Sequence, residues 1–269
     1  VDPRSPGLRR RQSLSDQADA NAVLASGCRT CRRGFHRDGS SGRDHHPKTD
    51  CRRLMLLGDS EKWAARFASL DDRILDRIAA VWPTLLDLLP GQPDEDTITI
   101  NLVSLLGKDP VVRRLCHWIE FQFEPTGTHP TGAQYSKGQI DLAVILDWDR
   151  TRYLAYECKR LNVIYSGGRQ SLAGPYVTDG MMRFITEQYA EGLEVGCMLG
   201  YVLDGDLGFS MERLANAIAS HAALNILGGP VPMVPVHRIN RFSTTHSRAG
   251  TKNIEVRHAL LSHALDPFG

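Results

Sequence analysis

The sequence predicts an α/β protein in which a mixed central sheet is flanked by helices. Three observations indicate this class: apolar residues recur at helical spacing from Ser60, short strand-like runs follow from Cys116, and helical and strand patterns alternate after them. The predicted order is helix, three strands, helix and strand, followed by an additional C-terminal helix and further strands.

Two helices are predicted before the first strand. The apolar positions of the first helix lie on one face, and they are Trp63, Phe67, Leu70, Ile74, Ile78, Val81 and Leu85. The Pro-Gly-Gln-Pro run at 90–93 then breaks the chain. Asp94 and Asp96 are both suitable N-caps for the second helix, and Gly107 is a suitable end.

Three strands are predicted over residues 116–123, 139–146 and 152–160. The short polar stretch 147–151 separates the last two, so these strands should form an antiparallel hairpin. The later predictions are a helix over 178–191, a buried strand over 196–203, a helix over 211–227, strands over 234–242 and 254–261, and a polar loop over 243–248.

Residues 1–54 differ from the rest of the chain because they are rich in Arg, Ser and Gly and carry almost no apolar periodicity. Such a segment buries too little surface to offset its ordering entropy, so we expect a disordered extension before a single domain at 55–269. The extension contains ligand types that zinc prefers, at Cys28, Cys31, His36, His45, His46 and Cys51, but their irregular spacing favours incidental residues. A further hypothesis is that the natural start is Met55.

The composition is that of a globular protein, with 42% hydrophobic and 23% charged residues and a net charge of +1. This charge balance neither requires nor excludes a nucleic-acid partner, since a local basic groove can lie on a neutral protein. No apolar run approaches the roughly 18 residues that span a bilayer, and the N-terminal residues lack the apolar core of a signal peptide. We therefore expect a cytoplasmic protein without a membrane partner.

The predicted hairpin carries the most informative residues. With its turn centred near Asp149, Asp141 and Glu157 fall opposite each other, at a Cβ separation of roughly 4.5–5.5 Å. Two carboxylates this close repel unless a cation lies between them, and Mg²⁺ prefers such hard oxygen ligands. The strand period of two places Lys159 on the same face as Glu157. The simpler interpretation is a cross-strand salt bridge on a solvated strand face.

The segment Gly138-Gln139-Ile140-Asp141 with Tyr156-Glu157-Cys158-Lys159 resembles the PD-(D/E)XK, or restriction-endonuclease-like, superfamily. The resemblance covers roughly residues 94–203 and implies an αβββαβ core. It also implies that Asp141, Glu157 and Lys159 are catalytic and that Mg²⁺, with Mn²⁺ as a substitute, is bound by Asp141, Glu157 and the main-chain carbonyl of Cys158. A further acidic ligand would be Glu95, with Glu120 as the competing choice.

Two features depart from the family pattern. Ile140 stands where many members have proline, and Gln188-Tyr189 does not have the Gln-x-x-x-Tyr spacing of the exonuclease-like branch. Many members tolerate the first departure, and the second argues against that branch, while the catalytic trio that the resemblance implies is complete.

Five basic residues are candidates for contacts with nucleic-acid phosphates, and they are Lys137, Arg160, Arg183, His246 and Arg248. Each also has a simpler interpretation. Lys137 and Arg160 are typical of solvated charges near strand ends, Arg183 has the spacing to pair with Glu187 on a helix, and the last two lie in the predicted polar loop.

The function expected from the resemblance is a divalent-metal-dependent nuclease that hydrolyses phosphodiester bonds, with DNA favoured over RNA, of the kind found in bacterial restriction and phage defence. One alternative is an inactive nuclease-like module that binds nucleic acid or a partner protein. Another is an α/β domain that binds a small molecule, for which the sequence contains no cofactor fingerprint. A homodimer and a partner subunit of a larger complex are both compatible with the sequence.

Overall fold

A seven-stranded mixed sheet with a helical layer on each face forms the core of the protein, as described by a computed structural model. The structure describes residues 60–237, 239–249 and 252–262, and side chains from residue 65 onward. These residues belong to one compact unit, residues 52–269. The expected disordered extension, its zinc-type ligands and the proposed start at Met55 lie outside the described residues.

The first two helices form where the sequence predicts them. Helix α1 spans Ser60–Leu88, α2 spans Glu95–Lys108, and the short α3 spans Val112–Leu115. Asp94 is the N-cap of α2, because its side chain accepts a hydrogen bond from the Thr97 amide at 2.7 Å. None of the helices in the described ranges is long and apolar enough to cross a membrane.

The sheet contains both parallel and antiparallel pairs. In chain order the strands are β1 (Trp118–Phe123), β2 (Thr126–Thr128), β3 (Gln134–Ser136), β4 (Ile140–Ile145), β5 (Tyr153–Arg160), β6 (Asn162–Tyr165), β7 (Gly168–Ser171), β8 (Val195–Val202), β9 (Ile226–Pro232), β10 (Asn240–His246) and β11 (Ile254–Ser262). The large sheet has the order β1-β4-β5-β8-β11-β10-β9, while β2–β3 and β6–β7 form separate two-stranded hairpins. Only β5–β8 and β8–β11 pair in parallel.

The predicted β4–β5 hairpin is confirmed, including its register. Leu142 pairs with Tyr156 and Ile145 with Tyr153 in an antiparallel ladder. The same register extended by one residue aligns Asp141 with Glu157. Because side chains alternate between faces, Leu154, Tyr156 and Cys158 pack toward α1 and α2, and Ala155 packs toward the opposite helical layer.

The helical layer on that opposite face differs from the prediction. Instead of a helix over 178–191, three consecutive segments form: α4 (Ala173–Pro175), a π-helix (Tyr176–Met181) and α5 (Met182–Ile185). Glu187 has a φ of 61°, a left-handed backbone that ends the helix early. The next helix, α6 (Leu207–Ser220), starts before the predicted residue 211 because Asp206 caps it by accepting from the Phe209 amide.

The C-terminal predictions were partly wrong. Strand β11 forms where predicted, but the predicted strand over 234–242 and the loop over 243–248 are replaced by β10 over Asn240–His246. Thr244 and His246 of β10 are buried and form hydrogen bonds with each other and with His258 of β11. Thr244 Oγ1 lies 2.7 Å from His246 Nε2 and 3.0 Å from His258 Nε2.

The burial of His258 predicts a specific pH dependence of stability. Burial, with a further contribution from His246, lowers the pKa of His258 to about 3 from 6.5. The folded protein therefore binds fewer protons than the unfolded chain between these values. The free energy of unfolding should fall as the pH drops from 6.5 toward 3, by up to ~1.4 kcal/mol per pH unit from this group.

Urea denaturation at several pH values between 7 and 4 measures this effect. His258→Gln is expected to lower stability at pH 7, because the stacking of His258 on Phe242 at 4.2 Å is lost. The same variant should lose stability less steeply on acidification than the wild type. Parallel pH profiles for the two proteins would contradict the assignment.

Candidate active site

Four oxygen atoms converge on the ammonium group of Lys159. Its Nζ lies 2.8 Å from Glu95 Oε1, 2.8 Å from the carbonyl oxygen of Cys158, 2.9 Å from Glu157 Oε1 and 3.4 Å from Asp141 Oδ2. These four oxygen atoms belong to the residues that the sequence predicts as metal ligands. The predicted residues therefore form one cluster, at the sheet end where β4 begins and β5 ends.

Glu157 is the buried centre of the cluster, with no exposed side-chain surface. Its Oε1 accepts hydrogen bonds from both Lys159 Nζ and Arg183 Nη1, the second at 2.7 Å. Its Oε2 has no hydrogen-bond partner within the described part of the chain. A buried carboxylate oxygen without a partner is unfavourable, so Glu157 retains an unused capacity to bind a cation or a proton donor.

The electrostatic environment of the cluster raises the pKa values of both Glu157 and Lys159. Burial, and then repulsion from Asp141, raises the pKa of Glu157 to about 8. Burial opposes the charge on Lys159, but the carboxylates of Glu157, Asp141 and Glu95 outweigh it and hold the pKa of that ammonium group above its ordinary value. Lys159 is therefore a charged hydrogen-bond donor at neutral pH.

The additional acidic residue is resolved by the geometry. Glu95 is the first residue of α2, and its carboxylate bridges to β5 by accepting from Lys159 Nζ and, at 3.0 Å, from the Arg160 amide. Glu120 lies elsewhere, paired with Arg150 and with the indole nitrogen of Trp118. The structure brings Glu95, and not Glu120, to the cluster.

The π-helix packs directly on β5. At Gly180 a Cβ atom would lie 3.5 Å from the Cγ atoms of both Glu157 and Lys159, and 2.6 Å from Met198 Cε. A Cβ atom at this position would displace the end of the Met198 side chain and would lie in van der Waals contact with Glu157 and Lys159, so glycine allows the helix to approach β5 closely. No feature of the sequence pattern pointed to this position.

Tyr189 is a second residue whose role the sequence did not reveal. Its hydroxyl donates to the carbonyl oxygen of Gln139 and accepts from Arg183 Nη1 at 2.9 Å. Burial, followed by the charge of Glu157, raises the pKa of Tyr189 to about 12, so the hydroxyl keeps its proton. Tyr189 therefore positions Arg183 against Glu157 and ties both to the start of β4. The Gln188-Tyr189 pair drew attention only as a departure from a family spacing.

The five basic residues proposed to contact phosphate lie in different environments. Arg183 and Arg160 lie at the cluster, the first bound to Glu157 and the second donating to the Pro93 carbonyl. Lys137 is nearly buried and pairs with Glu191. Of these three, Arg183 and Arg160 are the ones that the structure places at the cluster.

His246 and Arg248 require a correction, because both are buried and neither lies in an exposed loop. His246 Nδ1 bonds to the Leu224 carbonyl, and Arg248 donates to the carbonyls of Ala190 and Leu193. Their polar atoms stabilise the packing of β10 and the following turn. They have no access to a phosphate in this structure, which contradicts the predicted contacts with nucleic acid.

The donor set has the chemistry of a divalent-cation site, although its present spacing serves the ammonium group. Across residues 60–237, 239–249 and 252–262, no three His, Cys, Asp or Glu side chains are spaced to hold a metal ion as they stand. The carboxylates instead surround Lys159 Nζ. Three carboxylates and a carbonyl are ligands that Mg²⁺ prefers, and the partnerless Glu157 Oε2 is an additional oxygen donor. The residues present fit such a cation chemically.

Comparisons with known proteins add no further information. No family model, no curated protein and no solved structure matches this chain.

Proposed function

We propose that this protein is a divalent-metal-dependent nuclease of the PD-(D/E)XK type that hydrolyses phosphodiester bonds, with DNA as the favoured substrate. The observation that carries the proposal is the convergence of Glu95, Asp141, Glu157 and the Cys158 carbonyl on Lys159 Nζ. A cross-strand salt bridge on a solvated face does not account for it, because Glu157 is fully buried and one of its oxygens is unpaired.

The order of elements supports a restriction-endonuclease-like core. Helix α2, strands β1, β4 and β5, the π-helix with α5, and β8 follow one another in the αβββαβ order. In the sheet these strands lie side by side as β1-β4-β5-β8, antiparallel for the first two pairs and parallel for the last. This arrangement places Asp141 and the Glu157–Lys159 segment at one end of adjacent strands.

The residues of the cluster divide the chemical work. When bound, Mg²⁺ would polarise the phosphodiester and lower the pKa of a water molecule. Asp141, Glu157, Glu95 and the Cys158 carbonyl would hold it. Lys159, kept charged by its carboxylate neighbours, would donate a hydrogen bond to the phosphate and stabilise the negative charge that develops there. Arg183 holds Glu157 through Oε1 and fixes that carboxylate for its role.

Cleavage of linear single-stranded and duplex DNA in Mg²⁺ or Mn²⁺ tests the proposal, and samples in EDTA are the metal-free control. Glu95→Gln is expected to lower cleavage about 10- to 100-fold, because it removes an oxygen from the cluster and a partner of Lys159. Glu120→Gln is the matched control on β1 and should cleave at the wild-type rate. Equal losses in the two variants would contradict the choice of Glu95.

The spacing of the carboxylates around an ammonium group favours a second candidate function. Lys159 satisfies much of the negative charge without a metal, as expected of an inactive module that binds nucleic acid or a partner protein. Binding of DNA by the wild type without cleavage in Mg²⁺ or Mn²⁺ would support this candidate. EDTA-sensitive cleavage that requires Asp141 would exclude it.

A further inference from the structure

Two short hairpins leave the large sheet at the end that carries the catalytic cluster. The first arm, residues 126–136, contains β2 and β3 and connects the end of β1 to the start of β4. The second arm, residues 162–171, contains β6 and β7 and follows β5 directly. Because β4 and β5 are antiparallel, the start of β4 and the end of β5 lie at the same end of the sheet. The first arm therefore ends a few residues before Asp141, and the second arm begins a few residues after Lys159.

Each arm presents an exposed tyrosine whose ring lies against a glycine. Tyr135 is 42% exposed, and a Cβ atom at Gly127 would lie 2.4 Å from its Cζ. Tyr165 is 52% exposed, and a Cβ atom at Gly167 would lie 2.8 Å from its Cε2. The glycine backbone supports the ring in both arms, so each tyrosine is held in place while a large part of its surface faces solvent.

The composition of the arms fits contact with bases better than contact with phosphates. Neither arm contains an aspartate or a glutamate, so neither repels a polyanion. The basic residue of the second arm, Arg169, is paired with Asp204 at 2.9 Å and Asp206 at 2.6 Å. These ion pairs anchor the arm to the start of α6 and leave little positive charge for the nucleic-acid backbone. The exposed aromatic rings are the arms' main means of binding.

We propose that the two arms bind single-stranded nucleic acid next to the scissile phosphate, with Tyr135 and Tyr165 each stacking on an unpaired base. The identity of the partner rests on the proposed nuclease function. Aromatic stacking requires bases whose faces are accessible, and such bases occur in single strands or locally opened duplexes. His129, whose ring lies 4.5 Å from that of Tyr135, extends the stacking surface of the first arm.

Fluorescence anisotropy of a labelled 16-nucleotide oligo(dT) in EDTA tests the proposal. The full chain carries Asp141→Asn in every sample, so that cleavage does not enter the measurement. Tyr135→Ala and Tyr165→Ala are each expected to weaken binding about 10-fold, and a labelled 16-base-pair duplex should bind more weakly than oligo(dT). Tyr135→Phe and Tyr165→Phe should bind within about 2-fold of the parent, because the ring is retained.

Trp148→Ala is the matched control for an exposed aromatic side chain. Trp148 is 77% exposed but lies in the β4–β5 turn, at the opposite end of the hairpin from Asp141 and Lys159. Its loss should leave oligo(dT) binding unchanged. Unchanged binding in both tyrosine-to-alanine variants, equal losses in the phenylalanine variants, or an equal loss in Trp148→Ala would each overturn the proposal.

A second pair of variants tests the support given to the rings. Gly127→Ala and Gly167→Ala place a methyl group where each ring now packs, so the tyrosine must move. Both variants should weaken oligo(dT) binding in the same direction as the alanine variants, with unchanged thermal melting. Binding equal to that of the parent would show that ring placement is unimportant and would overturn the proposal.

Failure of the arms and failure of the nuclease function give different results. If the wild type cleaves DNA in a metal- and Asp141-dependent way but binding ignores both tyrosines, the arms proposal alone fails. If binding depends on the tyrosines and no cleavage occurs in Mg²⁺ or Mn²⁺, the nuclease proposal alone fails.

Discussion

Replacing Lys159 with alanine is expected to lower DNA cleavage about 10²- to 10³-fold while leaving Mn²⁺ binding at least as tight as in the wild type. The ammonium group now occupies the point on which Glu95, Asp141, Glu157 and the Cys158 carbonyl converge. Removing it frees these oxygens from a competing cation. It also removes the hydrogen-bond donor that would stabilise charge on the phosphate. The variant should therefore retain Mn²⁺ binding and lose DNA cleavage.

Asp141→Ala is the variant to compare with Lys159→Ala, because it should lose both properties. Asp141 Oδ2 accepts from the Cys158 amide at 2.7 Å and contributes one of the four oxygens. Isothermal titration calorimetry with Mn²⁺ and a cleavage assay on the same samples provide the two measurements. Equal weakening of Mn²⁺ binding in both variants would show that Lys159 does not compete for the site.

The second large effect is expected far from the cluster, at Asp71 of α1. This buried carboxylate binds Arg241 at 2.7 Å, Arg257 at 3.4 Å and the Tyr156 hydroxyl at 2.8 Å. Asp71→Ala leaves the buried guanidinium group of Arg241 and the partly buried one of Arg257 without that partner. The free energy of unfolding should fall by about 3–5 kcal/mol, as measured by urea denaturation.

The neighbouring residue supplies the control. Asp72 also binds Arg241 at 2.7 Å, but its side chain is 55% exposed. Solvent screening makes such a pair weak, so Asp72→Ala should cost no more than about 1 kcal/mol. If the two alanine variants lost equal stability, the burial of Asp71 would not be the reason for its effect.

The β4–β5 hairpin could be predicted from the sequence because its determinants are local. The polar turn at 147–151 and the strand period of two together determine which residues face each other, and the register of β4 and β5 agrees. The choice between Glu95 and Glu120 could not be made in this way. It depends on where the first turn of α2 lies against β5, a contact between residues more than 60 positions apart.

The errors have a common physical cause. The Ser-Thr-Thr-His run of β10 has the polarity of a loop, yet its buried members Thr244 and His246 are satisfied within the core by partners such as His258. Sequence polarity reports whether a side chain prefers water, and it does not report a partner supplied by another strand. Strand β9 was likewise not predicted, because its sequence contains glycines and prolines. Such residues are tolerated in an edge strand, which is the position of β9 in the sheet.

Gly180 contributes to the geometry of this site although it has no side chain, because it allows the π-helix to approach β5 closely. A residue larger than alanine there would have to displace the end of the Met198 side chain and would press on Glu157 and Lys159, whose Cγ atoms would already lie in van der Waals contact with a Cβ atom at this position. Engineering of this protein should therefore treat position 180 as fixed, as it treats the trio. A comparison of variants or relatives by their acidic and basic residues alone would overlook a substitution at position 180 that displaces Glu157 or Lys159.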